Sequence, residues 1–164
     1  MKLAQRAMKV GLTALPFLAL MGCSIKQSVK PVQLTGQSPQ ICIIRNEKVR
    51  EGFLDTYTHA LKTKSIQVRT LAETASLNEC PTTSTYTANW GWDMALYMRY
   101  AEIKVYRSAA MVGEPVYDAT WGGLRLDKFI SAENKIRELV DELFLTGQPS
   151  KSSTSPKIRA APLE

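Results

Sequence analysis

One histidine, His59, is all that the 164-residue chain offers for imidazole chemistry. Its three cysteines, Cys23, Cys42 and Cys80, form no CxxC pair, and no HxxxH spacing exists. A zinc site therefore has no ligand set in the sequence. A GxSxG nucleophile elbow is missing as well. The only double glycine in the domain, at Trp121 to Gly123, lacks the lysine of a phosphate loop and reads as a tight turn or bulge where a strand ends. Long apolar runs are also lacking. The longest, Val10 to Met21, covers twelve residues. As a helix it would reach roughly 18 Å, short of the ~30 Å hydrocarbon core. Like charges do not cluster, and no basic patch alternates with aromatics, so a nucleic-acid partner is not expected. No cofactor or metal is expected either.

What the chain does contain begins with an address. Lys2, Arg6 and Lys9 precede the apolar run, which ends in "LMGC". A basic start followed by a short apolar stretch reads as a secretory signal peptide. Without residues 1–22, the formal charge of +6 becomes +3, from 18 basic and 15 acidic side chains. The "LMGC" ending, Leu20 to Cys23, resembles the bacterial lipobox, which makes Cys23 the lipidated first residue after cleavage. Lipoproteins of this kind resemble one another in carrying three acyl chains there, and several chains hold a protein stably on a bilayer. Ser24 and Ile25 follow, not the Asp that retains enteric-type lipoproteins on the inner membrane. The resemblance thus implies the periplasmic face of the outer membrane.

If Cys23 carries lipid, Cys42 and Cys80 remain as an even pair in an oxidising compartment and are expected to form a disulfide. The alternative is two separate thiols, with Cys42 buried in the apolar strand "ICII".

Composition divides the rest. Residues 23–40 are polar, contain Pro31 and Pro39, and read as a lipidated Cys and flexible tether, which fully extended would reach at most about 55–60 Å. Residues 147–164, rich in Ser, Pro and Lys, read as a disordered tail. Between them, residues 41–146 carry the pattern of one α+β domain. "ICII" is a short buried strand. Asn46 is a candidate N-cap, and Val49, Phe53, Tyr57 and Leu61 form one helical stripe. "SIQVRTL" alternates as a strand, so strand, helix and strand form a βαβ unit. Three aromatic and β-branched stretches follow, with turns expected near Trp92 to Met94 and at "RSAAMVGE", where Gly113 can take a positive φ. Ser131 or Asp127 caps a last helix, whose apolar face is Ile136, Leu139, Val140, Leu143 and Phe144. The order β-α-β-β-β-β-α predicts a mixed five-stranded sheet with two helices packed on one face.

In "ALYMRYAEIKVYR" large side chains fall on both parities. Two helices can cover one sheet face only. The other face is therefore expected to be open, with Trp90, Trp92, Met98, Tyr100 and Tyr106 as a possible docking surface, or simply as cross-strand aromatic pairing. The stretches "VREGFLDTYTHAL", "TASLNECP", "YTANWGWDMALYMRYAEIKVYR" and "YDATWGGLRLDKFI" resemble an uncharacterised family of small Gram-negative envelope lipoproteins. The element order is also similar to transport-auxiliary lipoproteins and the amino-terminal domain of TolB. Neither resemblance brings an activity or a catalytic residue.

The expected role is thus a non-catalytic accessory or scaffold subunit on the lipid bilayer, docking an envelope protein. One alternative is a module binding a lipid or small amphiphile between sheet and helices, which needs an apolar cavity of at least ~300 Å³. Another is a hydrolase built on Asp55 and His59, which share a helix face at i, i+4. Glu114, Asp118 and Asp127 meet no acid–base or metal template by spacing.

Overall fold

A computed structural model describes residues 24–34, 39–123 and 126–145. The signal peptide at 1–22, Cys23, and the tail at 147–164 lie outside the described residues. The domain is α+β: a mixed sheet with two helices. In chain order the elements are β1 (Lys26–Lys30), β2 (Gln40–Ile44), α1 (Glu51–Thr63), β3 (Gln67–Leu71), β4 (Thr82–Asp93), β5 (Ala95–Arg107), β6 (Ala110–Asp118), a 3-10 turn (Leu126–Phe129) and α2 (Ala132–Leu143). The strands lie in the order β1-β6-β5-β4-β2-β3. β2 runs parallel to β3 and β4, and the other pairs are antiparallel.

The sheet has six strands where five are expected. The additional one is β1, which falls in the segment read as a tether. It pairs along β6 from Lys26↔Asp118 to Lys30↔Glu114. The chain stays on the body beyond β1. The Val32 amide donates to the Leu143 carbonyl at 2.7 Å, and Arg107 donates to the Gln33 carbonyl at 2.9 Å. Polar composition hid this strand because an edge strand buries little, and its backbone pairing needs no apolar side chains.

The interior strand β2, between β4 and the edge strand β3, is covered on both sides, as a continuous apolar run requires. Ile41 and Ile43 join the main core with Phe53, Tyr57, Leu61, Ile103, Val105, Leu139 and Leu143. Cys42 and Ile44 join a smaller cluster with Leu71 and Cys80 on the opposite parity. There Cys42 and Cys80 form the expected disulfide, with their Cα atoms 6.1 Å apart. It ties β2 to the connection entering β4.

α2 buries its expected stripe and α1 buries Phe53, Tyr57 and Leu61, while Val49, also buried, precedes the helix. Phe53 stacks on Tyr86 with ring centroids 5.1 Å apart, and the Tyr57 hydroxyl shares a 2.8 Å hydrogen bond with Ser84. The start of α1 differs from expectation. Arg50 takes the cap position, four residues after Asn46. The Asn46 amide group donates to the Tyr86 carbonyl at 3.0 Å, while its side-chain oxygen accepts from the Lys48 amide at 3.1 Å. These bonds hold Asn46 in a turn against β4, ahead of the helix. Ser131 occupies the N-cap position of α2, as expected, but makes no side-chain capping bond.

The β5–β6 hairpin turns at Ser108 and Ala109, with φ of 49° and 60°, and Met94 at the tip of β4–β5 also has φ of 60°. Gly113 is not the positive-φ residue. It matters through close approach instead: a Cβ there would lie 3.0 Å from both Leu143 Cδ1 and Val32 Cβ. The glycine lets the segment after β1 pass directly over β6.

Candidate docking surface

Strand register decides which side chains share a face. β4 and β5 pair regularly from Thr82↔Arg107 to Asn89↔Tyr100, and then Trp90 pairs with Met98. Arg99 is left over as a bulge residue. A single extra residue reverses the parity of everything beyond it. On one side of the bulge, Ala101, Ile103 and Val105 point into the core; on the other, Met98 does. This accounts for large side chains on both parities of β5.

The five residues expected on one surface therefore separate. Met98 is 2% exposed within the core, and Trp90 packs partly buried against it. Arg50 lies over the Trp90 ring, 5.7 Å from its centroid. Tyr100 and Tyr106 are half-buried on the opposite sheet face, and Trp92 stands out at the end of the hairpin. The bulge is the physical reason for this correction: no flat face can hold all five.

Away from the helices, the sheet is a polar surface. Lys26, Asp118, Tyr100 and Asn89 form one cross-strand row, and Ser28, Val116, Glu102 and Thr87 form the next. Lys104 binds Glu102 at 2.9 Å and approaches Glu114 at 3.7 Å. The hydrogen bond to Glu102 raises the Lys104 pKa against the opposing effect of burial. Partial burial and the neighbouring Glu102 raise that of Tyr100. The Thr120 bonds to Asp118, its amide donating at 2.8 Å, hold that carboxyl below its usual value. Lys104 thus offsets one carboxylate within β5 and another across on β6, as on an ordinary solvated sheet.

Most of the exposed large apolar residues gather instead at one end of the domain, with Met111 and Leu145 lying elsewhere. Trp92 is 76% exposed, Met94 92%, Trp121 73% and Leu126 81%. Lys128 draws this end together. Its ammonium group, 4% exposed by side chain, binds the Asp93 carboxylate and the Gly123 carbonyl and lies 5.3 Å from the centroid of the Tyr97 ring. Tyr97 meets Phe129 edge-on at 5.6 Å. The hairpin tip and the loop after β6 are thereby fastened to each other. A charged group this buried is tolerable because it is paired and bonded.

The chain shares its fold with a protein of known structure. No family model matches it, and no curated protein matches it. Among solved structures it is similar to the PelC dodecamer from Paraburkholderia phytofirmans, with 12% identity and a TM-score of 0.50 over 74% of this chain and 98% of that one. A single-residue variant of that dodecamer aligns at 9% identity and a TM-score of 0.44, over 71% and 90% of the two chains. At this identity the likeness to PelC concerns the fold.

The remaining candidates are dispersed. Asp55 and His59 lie on the exposed side of α1. No cluster of metal-ligating side chains occurs among the described residues, and no helix among them is long and apolar enough to cross a membrane. Between the helix amino-termini and β4, Arg50, Phe53, Trp90, Glu133 and Ile136 line a surface cleft of about 310 Å³. The space deeper between sheet and helices is occupied by Tyr57, Leu61, Ile103, Val105, Leu139 and Leu143, all fully buried.

Trp121 and Leu126 were not singled out by sequence reasoning as surface residues. The available signal was local: Trp121 adjoins Gly122 and Gly123, where a chain leaving a sheet has few neighbours to cover an indole.

Proposed function

We propose that this protein is a lipoprotein on the periplasmic face of the outer membrane, acting as a non-catalytic accessory or scaffold subunit that docks another envelope component. The disulfide between Cys42 and Cys80 carries the reading, because such bonds persist in oxidising compartments and not in the cytosol. It agrees with the lipobox-like "LMGC" ahead of Cys23. The dispersal of Asp55, His59, Glu114 and Asp118 supports a binding role over a hydrolytic one. The assembly of PelC as a dodecamer supports self-association as one form of that role.

Photocrosslinking in intact envelopes from Tyr100 and Tyr106, on the polar sheet face, tests the reading. The expected product joins the protein to another envelope protein or to copies of itself. Recovery of the monomer alone from both positions would remove the scaffold role. Fatty-acid labelling tests the anchor separately, with the native chain taking label and Cys23→Ala remaining unlabelled.

A further inference from the structure

We infer that the hairpin tip and the loop after β6 form a second membrane contact, which rests on the bilayer beside the acylated amino-terminus. The inference builds on lipidation at Cys23 and adds how the domain is oriented. Because β1 begins at Lys26, the tether of 18 residues shrinks to a link of about 10 Å at most. Ile25, two residues from Cys23, packs beside the loop: a Cβ at Gly122 would lie 3.6 Å from Ile25 Cγ1 and 3.7 Å from Lys128 Cδ. Lys128 in turn joins Gly123 to Asp93 at the hairpin tip. Ile25, the loop and the tip are therefore at one end of the body, and Cys23 is two residues from Ile25 in the chain.

That end carries Trp92, Met94, Trp121 and Leu126, each more than two-thirds exposed. Acyl chains entering a bilayer would hold it at headgroup depth. Indole rings favour that depth, and thioether and leucyl side chains gain by entering just below it. The occupant follows from where the chain enters the domain. A soluble partner would have to compete with a lipid surface held within a few ångströms of the patch.

The test uses the full mature chain carrying Cys23→Ser, so that binding cannot come from acylation. It is mixed with vesicles of phosphatidylethanolamine and phosphatidylglycerol that contain brominated acyl chains. The expected result is quenched tryptophan fluorescence and co-sedimentation with vesicles. Met94→Ser with Leu126→Ser, both at exposed positions and checked for unchanged circular dichroism, should weaken partitioning by roughly tenfold. Absence of quenching, or equal partitioning of the double variant, overturns the contact. So does self-association of the Cys23→Ser chain that the same two substitutions abolish, since the patch would then meet a second copy. Failure of Cys23 to take fatty-acid label would instead remove the anchor, and is read on the native chain independently of the vesicle result.

Discussion

The Tyr117 hydroxyl is buried with no hydrogen-bond partner among the described residues, and the Lys135 ammonium lies 5.0 Å from the ring centroid. Burial, then the negative charges of Asp127 and Glu138, raises the tyrosine's pKa. A polar atom desolvated without a bond is a cost that the ring does not need. Tyr117→Phe is therefore expected to raise stability by about 1 kcal/mol, visible as a higher urea midpoint at unchanged slope. Ala109 presents a second local cost. It sits at φ 60° in the two-residue β5–β6 turn, where a residue with a Cβ is disfavoured by about 1–2 kcal/mol. Ala109→Gly should stabilise by about 0.5–1 kcal/mol in the same assay, after the greater unfolded-state freedom of glycine is subtracted. Residue roles of this kind were only partly legible. The apolar stripes of α1 and α2 follow from spacing, so Phe53, Tyr57, Ile136 and Leu139 could be placed in the core. Asn46 could not be separated from an N-cap, because its competing partner, the Tyr86 carbonyl, lies 40 positions away in the chain.

Among the elements, β1 depends on side chains outside the sheet. Gln27 donates to Glu138 at 2.9 Å and Glu142 at 3.0 Å, while Lys135 donates to Gln27 at 3.1 Å and Glu138 at 2.7 Å. Burial raises the Glu138 pKa, but the bonds from Lys135 and Gln27 together outweigh it and leave a net lowering. Because the folded value lies below the unfolded one, the contribution is present above the unfolded carboxylate pKa. It is lost as pH falls through the lowered folded value. Amide protection factors in residues 26–30, corrected for the slower intrinsic exchange at low pH, should consequently fall on acidification below the ordinary glutamate range, beyond the change seen in β4. Gln27→Ala should weaken this added pH dependence. The strand itself was illegible because nothing in "KQSVK" alternates strongly, and its bonding partners lie more than 80 residues away. The order of the later elements was readable, since each carries its own period. The Arg99 bulge was not, because register depends on two strands at once.

For the whole molecule, the disulfide closes a loop across a separation of 38 residues that contains α1 and β3. In the chain-entropy account such a link contributes about 4 kcal/mol. A Cys42→Ala, Cys80→Ala protein should lose stability of this order, and reductant should lower the melting temperature of the native protein but not of the variant. The mixed sheet, the two helices and this crosslink could be read from the residues, since patterning and cysteine count survive without knowledge of contacts. The separation of the five expected surface residues, and the gathering of Trp92, Met94, Trp121 and Leu126 at one end, required the three-dimensional path of the chain.

The polypeptide enters the domain through its outermost strand, whose five residues hydrogen-bond along one side only. Tension arriving from the amino-terminal direction would load those few rungs before any other part of the sheet. Peeling them away would release their length of chain, while the disulfide-linked strands behind stayed folded. The fold thus contains a mechanical fuse between its amino-terminal strand and its core.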